Sequence, residues 1–197
     1  MASQLVTQLP RDARRVVIRG ASGSGKTTLA RRVADAIGVP HLELDSVYHQ
    51  PGWTPLPDDE FRARVDERIA RDGWVVCGNY RVVAGSILDR ADTVVLYDLP
   101  RRTVMTRVVR RSLSRVVRRE ELWNGNREEW RNLLHKDPER SIVVWSWTTH
   151  GKYREFVRAT LAAPPRDDLR FVHLATRADE RCFYEGLATA APAMDGA

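Results

Sequence analysis

Lysine is nearly missing from this chain. Of its 32 basic residues 29 are arginine, leaving Lys26, Lys136 and Lys152. A net charge of +6 made almost wholly of arginine reads first as a compositional bias and only second as a surface for nucleic acid. Such a partner stays open as a minor alternative. Cysteine is scarce as well. Cys77 and Cys182 are far apart and in no metal-binding spacing, which excludes a disulfide framework and a structural zinc site. No apolar run approaches the roughly 20 residues that a membrane helix needs. Met1–Arg14 is polar and has no apolar stretch of leader-peptide length. These absences lead to the expectation of a reduced, cytoplasmic protein with no membrane association, and they leave the oligomeric state open. The 197 residues, 43% of them hydrophobic, suffice for one domain with a proper core.

Gly20-Ala21-Ser22-Gly23-Ser24-Gly25-Lys26-Thr27-Thr28 matches the phosphate-cradling pattern G-x-x-x-x-G-K-[ST]. A strand that turns through glycines into a helix aims several backbone N–H groups at one point, and the helix dipole adds positive potential there. Lys26 is expected to reach the β- and γ-phosphates, and the Thr27 hydroxyl to ligate Mg²⁺. Gly20 to Thr28 is therefore the candidate ATP site. Guanine recognition by GTP switches uses Asn-Lys-x-Asp, a tetrapeptide absent from this sequence.

Around the loop, short apolar runs alternate with helical patterns. Strands are expected at 15–19, 39–44, 74–77, 93–97 and 169–174. Helices are expected at 26–37, 58–71, from Pro100 to about Arg119, and at 178–187. Residues 45–57 read as a loop. Ser141–Thr149 has the composition of a strand, but Ile142, Trp145, Tyr153, Phe156, Val157 and Leu161 fall at helical spacing, so a helix is favoured. Alternating strands and helices predict an α/β fold with a parallel sheet covered on both faces, in one domain over residues 1–187. Residues 188–197 read as a disordered tail.

The helix after Pro100 carries Arg107, Arg110, Arg111, Arg115 and Arg118 on one stripe. Val104, Met105, Val108, Val109, Leu113, Val116 and Val117 are left to pack on the sheet. An unpaired row of cations repels itself unless an anion sits there. Beside a phosphate loop, the row is read as part of an arginine-bearing lid over about residues 115–140. Positioning and charge neutralisation are the main tools of phosphoryl transfer, which makes Arg107 and Arg111 candidates to clamp the nucleotide.

The phosphate loop, Leu44-Asp45-Ser46 with Pro51-Gly52-Trp53, the segment Trp74–Arg81, Ala91–Leu96 and Arg110-Arg111 together resemble the adenylate-kinase-related P-loop kinases. The nearest likeness is to the FlaR-like branch described as DNA topology modulation proteins. The resemblance spans about residues 15–160, and the PGW and GNY segments are its more specific parts. It implies a P-loop NTPase fold with a five-stranded parallel sheet ordered 2-3-1-4-5, a helical lid, ATP and Mg²⁺. Relatives usually carry Asp at the end of the third strand to hold the metal through water. This chain has Cys77 there, which leaves either Asp45 in the metal's outer shell or Thr27 and the phosphates alone.

Lys26, Asp45, Arg107 and Arg111 are the candidate catalytic residues. For the acceptor, Asp45 matches the acid that takes a hydroxyl proton in shikimate-type and nucleoside-type kinases; its alternative role is to cap the next turn. Arg81 matches the arginine that nucleotide kinases set against an acceptor phosphate, and Trp53 offers an aromatic wall. The favoured function is a kinase for a small acceptor, a nucleoside monophosphate slightly ahead of a hydroxyl metabolite. The alternative is a nucleotide-binding regulatory protein, DNA-associated or not, that transfers no phosphate.

Overall fold

Valine and isoleucine, stiff at χ1 and suited to a pleated surface, build the middle of the sheet. In the computed structural model, which describes residues 5–133, 135–138 and 141–190, β2 (Arg15–Gly20), β4 (Trp74–Cys77) and β5 (Thr93–Tyr97) are its most deeply buried strands. β3 (His41–Glu43) forms one edge and β6 (Arg170–Leu174) lies beyond β5. All pair in parallel. The expected count of five strands is corrected to six, ordered β1-β6-β5-β2-β4-β3; the five expected strands keep their relative order 2-3-1-4-5 within it, and the numbering shifts because one strand precedes them. The additional strand is β1 (Leu5–Val6), whose pairing with Phe171 and Val172 covers the edge of β6. Two residues at a polar chain end carry too little pattern to announce a strand.

The period of two in each strand divides the core. On one face Val16, Ile18, Val75, Val95 and Val172 meet Leu29 and Val33 of α1 (Lys26–Ile37) and Phe183 of α8 (Arg177–Ala190). On the other, Val17, Val76, Leu96 and Phe171 meet Phe61 and Val65 of α3 (Asp58–Ile69), Ile87 of α4 (Ala84–Arg90) and Val157 of α7 (Ile142–Ala162). Between β3 and α3 the expected loop contains a short helix, α2 (Leu44–Tyr48), and a 3-10 turn at Pro51–Trp53. The helix α8 extends to Ala190, so the proposed tail overlaps it at residues 188–190; residues 191–197 lie outside the described residues.

The segment of mixed signals is helical. Ser146, His150 and Val157 form the buried side of α7, and Trp145 and Trp147 are exposed. The helical period hides two polar side chains, Ser146 and His150, that find backbone partners, Ser22 O at 3.1 Å and Leu99 O at 3.0 Å. The arginine helix α5 (Arg101–Arg118) buries Val104, Val108, Ser112 and Val116, at four-residue spacing. Val109, Leu113 and Val117 are exposed, contrary to the expectation that they pack on the sheet, because α5 touches its neighbours along one narrow stripe. Past α5 come a 3-10 turn at Trp123–Gly125 and α6 (Trp130–Leu133). No helix among the described residues is long and apolar enough to cross a membrane.

Candidate active site

The loop from Gly20 to Thr28 leaves the carboxyl end of β2, the central strand of its neighbourhood, where ligands of parallel sheets bind. Gly23 (φ 82°) and Gly25 (φ 102°) hold left-handed conformations, and a Cβ on Gly23 would lie 2.0 Å from the Val108 Cγ2 atom. Three side chains pin the loop's carbonyls. Asn79 Nδ2 donates to Gly20 O at 2.7 Å, Ser146 Oγ to Ser22 O at 3.1 Å, and Arg107 Nη1 to Ser24 O at 2.5 Å. A peptide's C=O and N–H point in opposite directions, so each pinned carbonyl turns the next residue's N–H to the other side. Gly25 gives the helix no side-chain cap, and the first-turn N–H groups stay available to an anion. The Ser24 hydroxyl is buried without a partner. Lys26 is half-buried, and no hydrogen bond or ion pair engages its ammonium among the described residues. Asn79 and Ser146 were not found from the sequence. Asn79 sits in the quoted GNY segment, but Ser146 carries no signal.

Thr27, the expected metal ligand, donates its hydroxyl to Glu43 Oε1 at 2.8 Å. Glu43 faces Cys77 across the β3–β4 register, and the Cys77 sulfur lies 4.0 Å from the Thr27 oxygen and 3.2 Å from His41 Nε2. Burial, then the charge of Glu43, pushes the Cys77 thiol up to about 12, so it is a neutral group near pH 7. The carboxylate beside Thr27 is thus Glu43, on the strand next to the one that usually supplies it. Asp45, the residue expected in the metal's outer shell, makes no hydrogen bond with Thr27 among the described residues. A hydroxyl and a carboxylate are hard oxygen donors and suit Mg²⁺, which keeps most of its waters and takes few protein ligands.

Asp45 is the second residue of α2 rather than the end of a strand. Its Oδ1 accepts from the Tyr80 hydroxyl at 2.7 Å, and that hydroxyl is 3.4 Å from His49 Nε2. Burial and the nearby Asp45 raise the Tyr80 pKa, while burial lowers that of His49. The His49, Trp53 and Trp123 rings form an aromatic group, with centroids 5.4 Å apart for His49–Trp53 and 6.0 Å for His49–Trp123. Arg81 is exposed on the 3-10 turn after β4. Among the described residues no polar contact draws it to Asp45.

The arginine row is not unpaired. Arg107 makes a two-pronged ion pair with Glu180 of α8, at 2.7 and 2.9 Å, beside the Tyr97 hydroxyl. Arg115 meets Glu128 at 2.9 Å. The sequence stripe missed both partners because they lie on segments distant in the chain. Arg111 differs: its Nε is buried with no partner, burial and the neighbouring Arg115 lower its pKa, and Glu43, Asp45 and Glu128 counter that effect. Lys26, Glu43 and Asp45 likewise all act on Cys77. Lys26, Glu43 and Asp45 are thus all within electrostatic reach of Cys77, and the two carboxylates within that of Arg111. Of the expected lid at 115–140, residues 134, 139 and 140 lie outside the described residues.

No family model matches the sequence. Over 57 residues the chain is 44% identical to the cytidylate kinase of Nitratidesulfovibrio vulgaris, which is 29% of this chain and 23% of that protein's length. Over 137 residues it is 30% identical to the shikimate kinase of Mycobacterium avium, covering 62% of this chain and 75% of that one. The solved structure of a gluconokinase from Sinorhizobium meliloti aligns with 92% of this chain and 95% of its own, at 22% identity and a TM-score of 0.51, a likeness of fold.

Proposed function

Because this chain belongs to the P-loop small-molecule kinases of the gluconokinase, shikimate kinase and cytidylate kinase type, we propose that it transfers the γ-phosphoryl group of ATP to a small acceptor held at Asp45. The observation that carries this reading is a phosphate loop with pinned carbonyls at the carboxyl end of the sheet, with Glu43 hydrogen-bonded to its Thr27 and Asp45 held nearby in the chain by Tyr80. The loop N–H groups and Lys26 bind the phosphates. Thr27 and Glu43 are the residues that would hold Mg²⁺, which supplies charge neutralisation on the phosphate oxygens. Arg107, braced by Glu180, lies against the loop at Ser24 and contacts the nucleotide from the side of α5. Arg111, with a buried donor still unused, meets the transferred group or the acceptor.

A hydroxyl acceptor is favoured over a nucleoside monophosphate. An alcohol loses a proton as it attacks, and a carboxylate within hydrogen-bond reach takes it. Asp45, oriented by Tyr80 and flanked by His49, is built for that task. A phosphate acceptor requires cations instead, and Arg81 stands apart from this group. The aromatic faces of His49, Trp53 and Trp123 suit the C–H face of a sugar or cyclic polyol. Glu43 answers the objection raised by Cys77, so the reading without phosphoryl transfer loses its main support. The PGW and GNY segments, which contribute Trp53, Asn79 and Tyr80 to the site, favour placement in the FlaR-like branch. The test is ADP release with Mg-ATP across a panel of sugars, polyols, cyclic hydroxy acids and nucleoside monophosphates. Turnover on a hydroxyl compound that is lost in Asp45→Asn supports the reading; turnover on monophosphates alone overturns the acceptor assignment.

A further inference from the structure

Glu43 is held from two directions. Its Oε1 accepts from Thr27 on α1, and its Oε2 accepts from the indole N–H of Trp123 at 3.2 Å. Trp123 belongs to the lid segment, 80 residues further along the chain, and it reaches Glu43 only because that segment is fastened to the loop around α2. Asn124 Nδ2 donates to His49 O at 2.6 Å, and Asn126 Nδ2 to Gln50 O at 2.9 Å. The Trp53 N–H donates to Asn126 Oδ1 at 2.8 Å. Asn124 adopts φ 57°, a conformation that asparagine tolerates better than most residues. The Trp123 ring lies within 19° of parallel to the His49 ring. His49 in turn neighbours the hydroxyl that orients Asp45.

The geometry points to Trp123 as a positioning residue that links lid closure over the acceptor to the carboxylate beside the phosphate loop. A carboxylate with one hydrogen bond rotates about its last torsion. A second donor on the other oxygen fixes its plane and hence the direction in which it and Thr27 face the metal site. With the clasp of Asn124 and Asn126 closed, Trp123 supplies that donor. With the clasp open, Glu43 keeps only Thr27 and the distant Arg31, 3.8 Å away. Closure over the acceptor side thereby completes the nucleotide side through one side chain, and closure is a general means of excluding water from the reacting groups. The inference rests on the proposed kinase reading, since it concerns the same site.

The variant that separates the roles is Trp123→Phe, which keeps an aromatic ring for His49 and removes the N–H. The expected result is a fall in kcat of about 10-fold or more, as expected when a supporting partner of a metal site is removed. The Mg²⁺ concentration for half-maximal rate should rise by a similar factor, with acceptor KM and melting temperature little changed. On a Glu43→Gln background the same substitution should add almost nothing, because its effect runs through that carboxylate. A readout free of turnover is the Mg²⁺ dependence of ADP binding by calorimetry, in which Trp123→Phe should demand more Mg²⁺ than the parent. A rise in acceptor KM with unchanged Mg²⁺ dependence, or full additivity with Glu43→Gln, overturns the proposal by making Trp123 a wall of the acceptor pocket. If no acceptor in the panel is phosphorylated, the kinase reading fails, and the calorimetric comparison still decides the Trp123–Glu43 link.

Discussion

The two sides of this cleft are made from different material. The phosphate side is backbone: a turn with two left-handed glycines, carbonyls pinned by Asn79, Ser146 and Arg107, and free N–H groups at the start of α1. The proposed acceptor side is side chains: Asp45 from α2, Tyr80 after β4, His49 and Trp53 from the segment after α2, and Trp123 from the turn after α5. Backbone geometry recognises what all nucleotides share, and it needs little beyond Gly and Lys from the sequence. Side chains recognise one acceptor, and they vary with it. A family can therefore keep its phosphate loop while its members phosphorylate different molecules.

The comparison predicts unequal sensitivity. Lys26→Ala should have the largest effect, removing measurable turnover and the thermal shift that millimolar Mg-ATP gives the parent protein. Its own melting temperature should stay close to the parent's, because the ammonium has no hydrogen-bond or ion-pair partner among the described residues. An equal shift in both proteins would mean that the nucleotide does not bind at this loop. On the acceptor side, Asp45→Asn should lower kcat by about 10²–10⁴-fold if the acceptor is a hydroxyl. Arg81→Ala should leave kcat and acceptor KM near those of the parent. The reverse ranking would move the acceptor class to a phosphate.

Gly23→Ala tests whether the loop is built by its backbone. The added Cβ would collide with Val108 and strain a left-handed residue, so the variant should lose about 2–4 kcal/mol of stability in denaturant titration. Tolerance of alanine there would show that the loop conformation is not fixed by α5. The smallest effect concerns Cys77. Its thiol, normally near 9, is pushed up to about 12 by burial. The folded state keeps the proton that the unfolded chain gives up, so this contribution is full below about pH 9 and is lost as pH rises towards 12. At pH 8 iodoacetamide should modify exposed Cys182 well before Cys77, read by peptide mass spectrometry, and Cys77→Ser should keep the enzyme's activity within about two-fold. Rapid labelling of Cys77 would mean that the pocket behind Thr27 is open to water.

Much of the phosphate side was legible in advance. The loop residues, the strand before and the helix after are neighbours in the chain, and local order announces them. The acceptor side was half legible. Asp45 and Trp53 were singled out, and the structure gives each companions that the sequence did not announce: Tyr80 for Asp45, His49 and Asn126 for Trp53. Asp45 accepts from Tyr80, and the carboxylate against Thr27 is Glu43. Arg81 had the right local sequence and remains exposed. Glu43 was passed over because one carboxylate two residues before another, at the end of a strand, has no signature until α1 brings Thr27 against it.

By itself the sequence determined the alternation of strands and helices and the phosphate loop, because each follows from periodicity and turn chemistry over a few neighbouring residues; at Ser141–Thr149 it only favoured the helix that the fold adopts. Tertiary structure alone decided which carboxylate stands beside Thr27, which partners neutralise Arg107 and Arg115, and where Trp123 donates its N–H. Those contacts join residues 16, 73, 13 and 80 positions apart. Such pairings are fixed by the packing of whole elements on the sheet, and a single sequence carries no local mark of a partner that only the closed fold brings within reach.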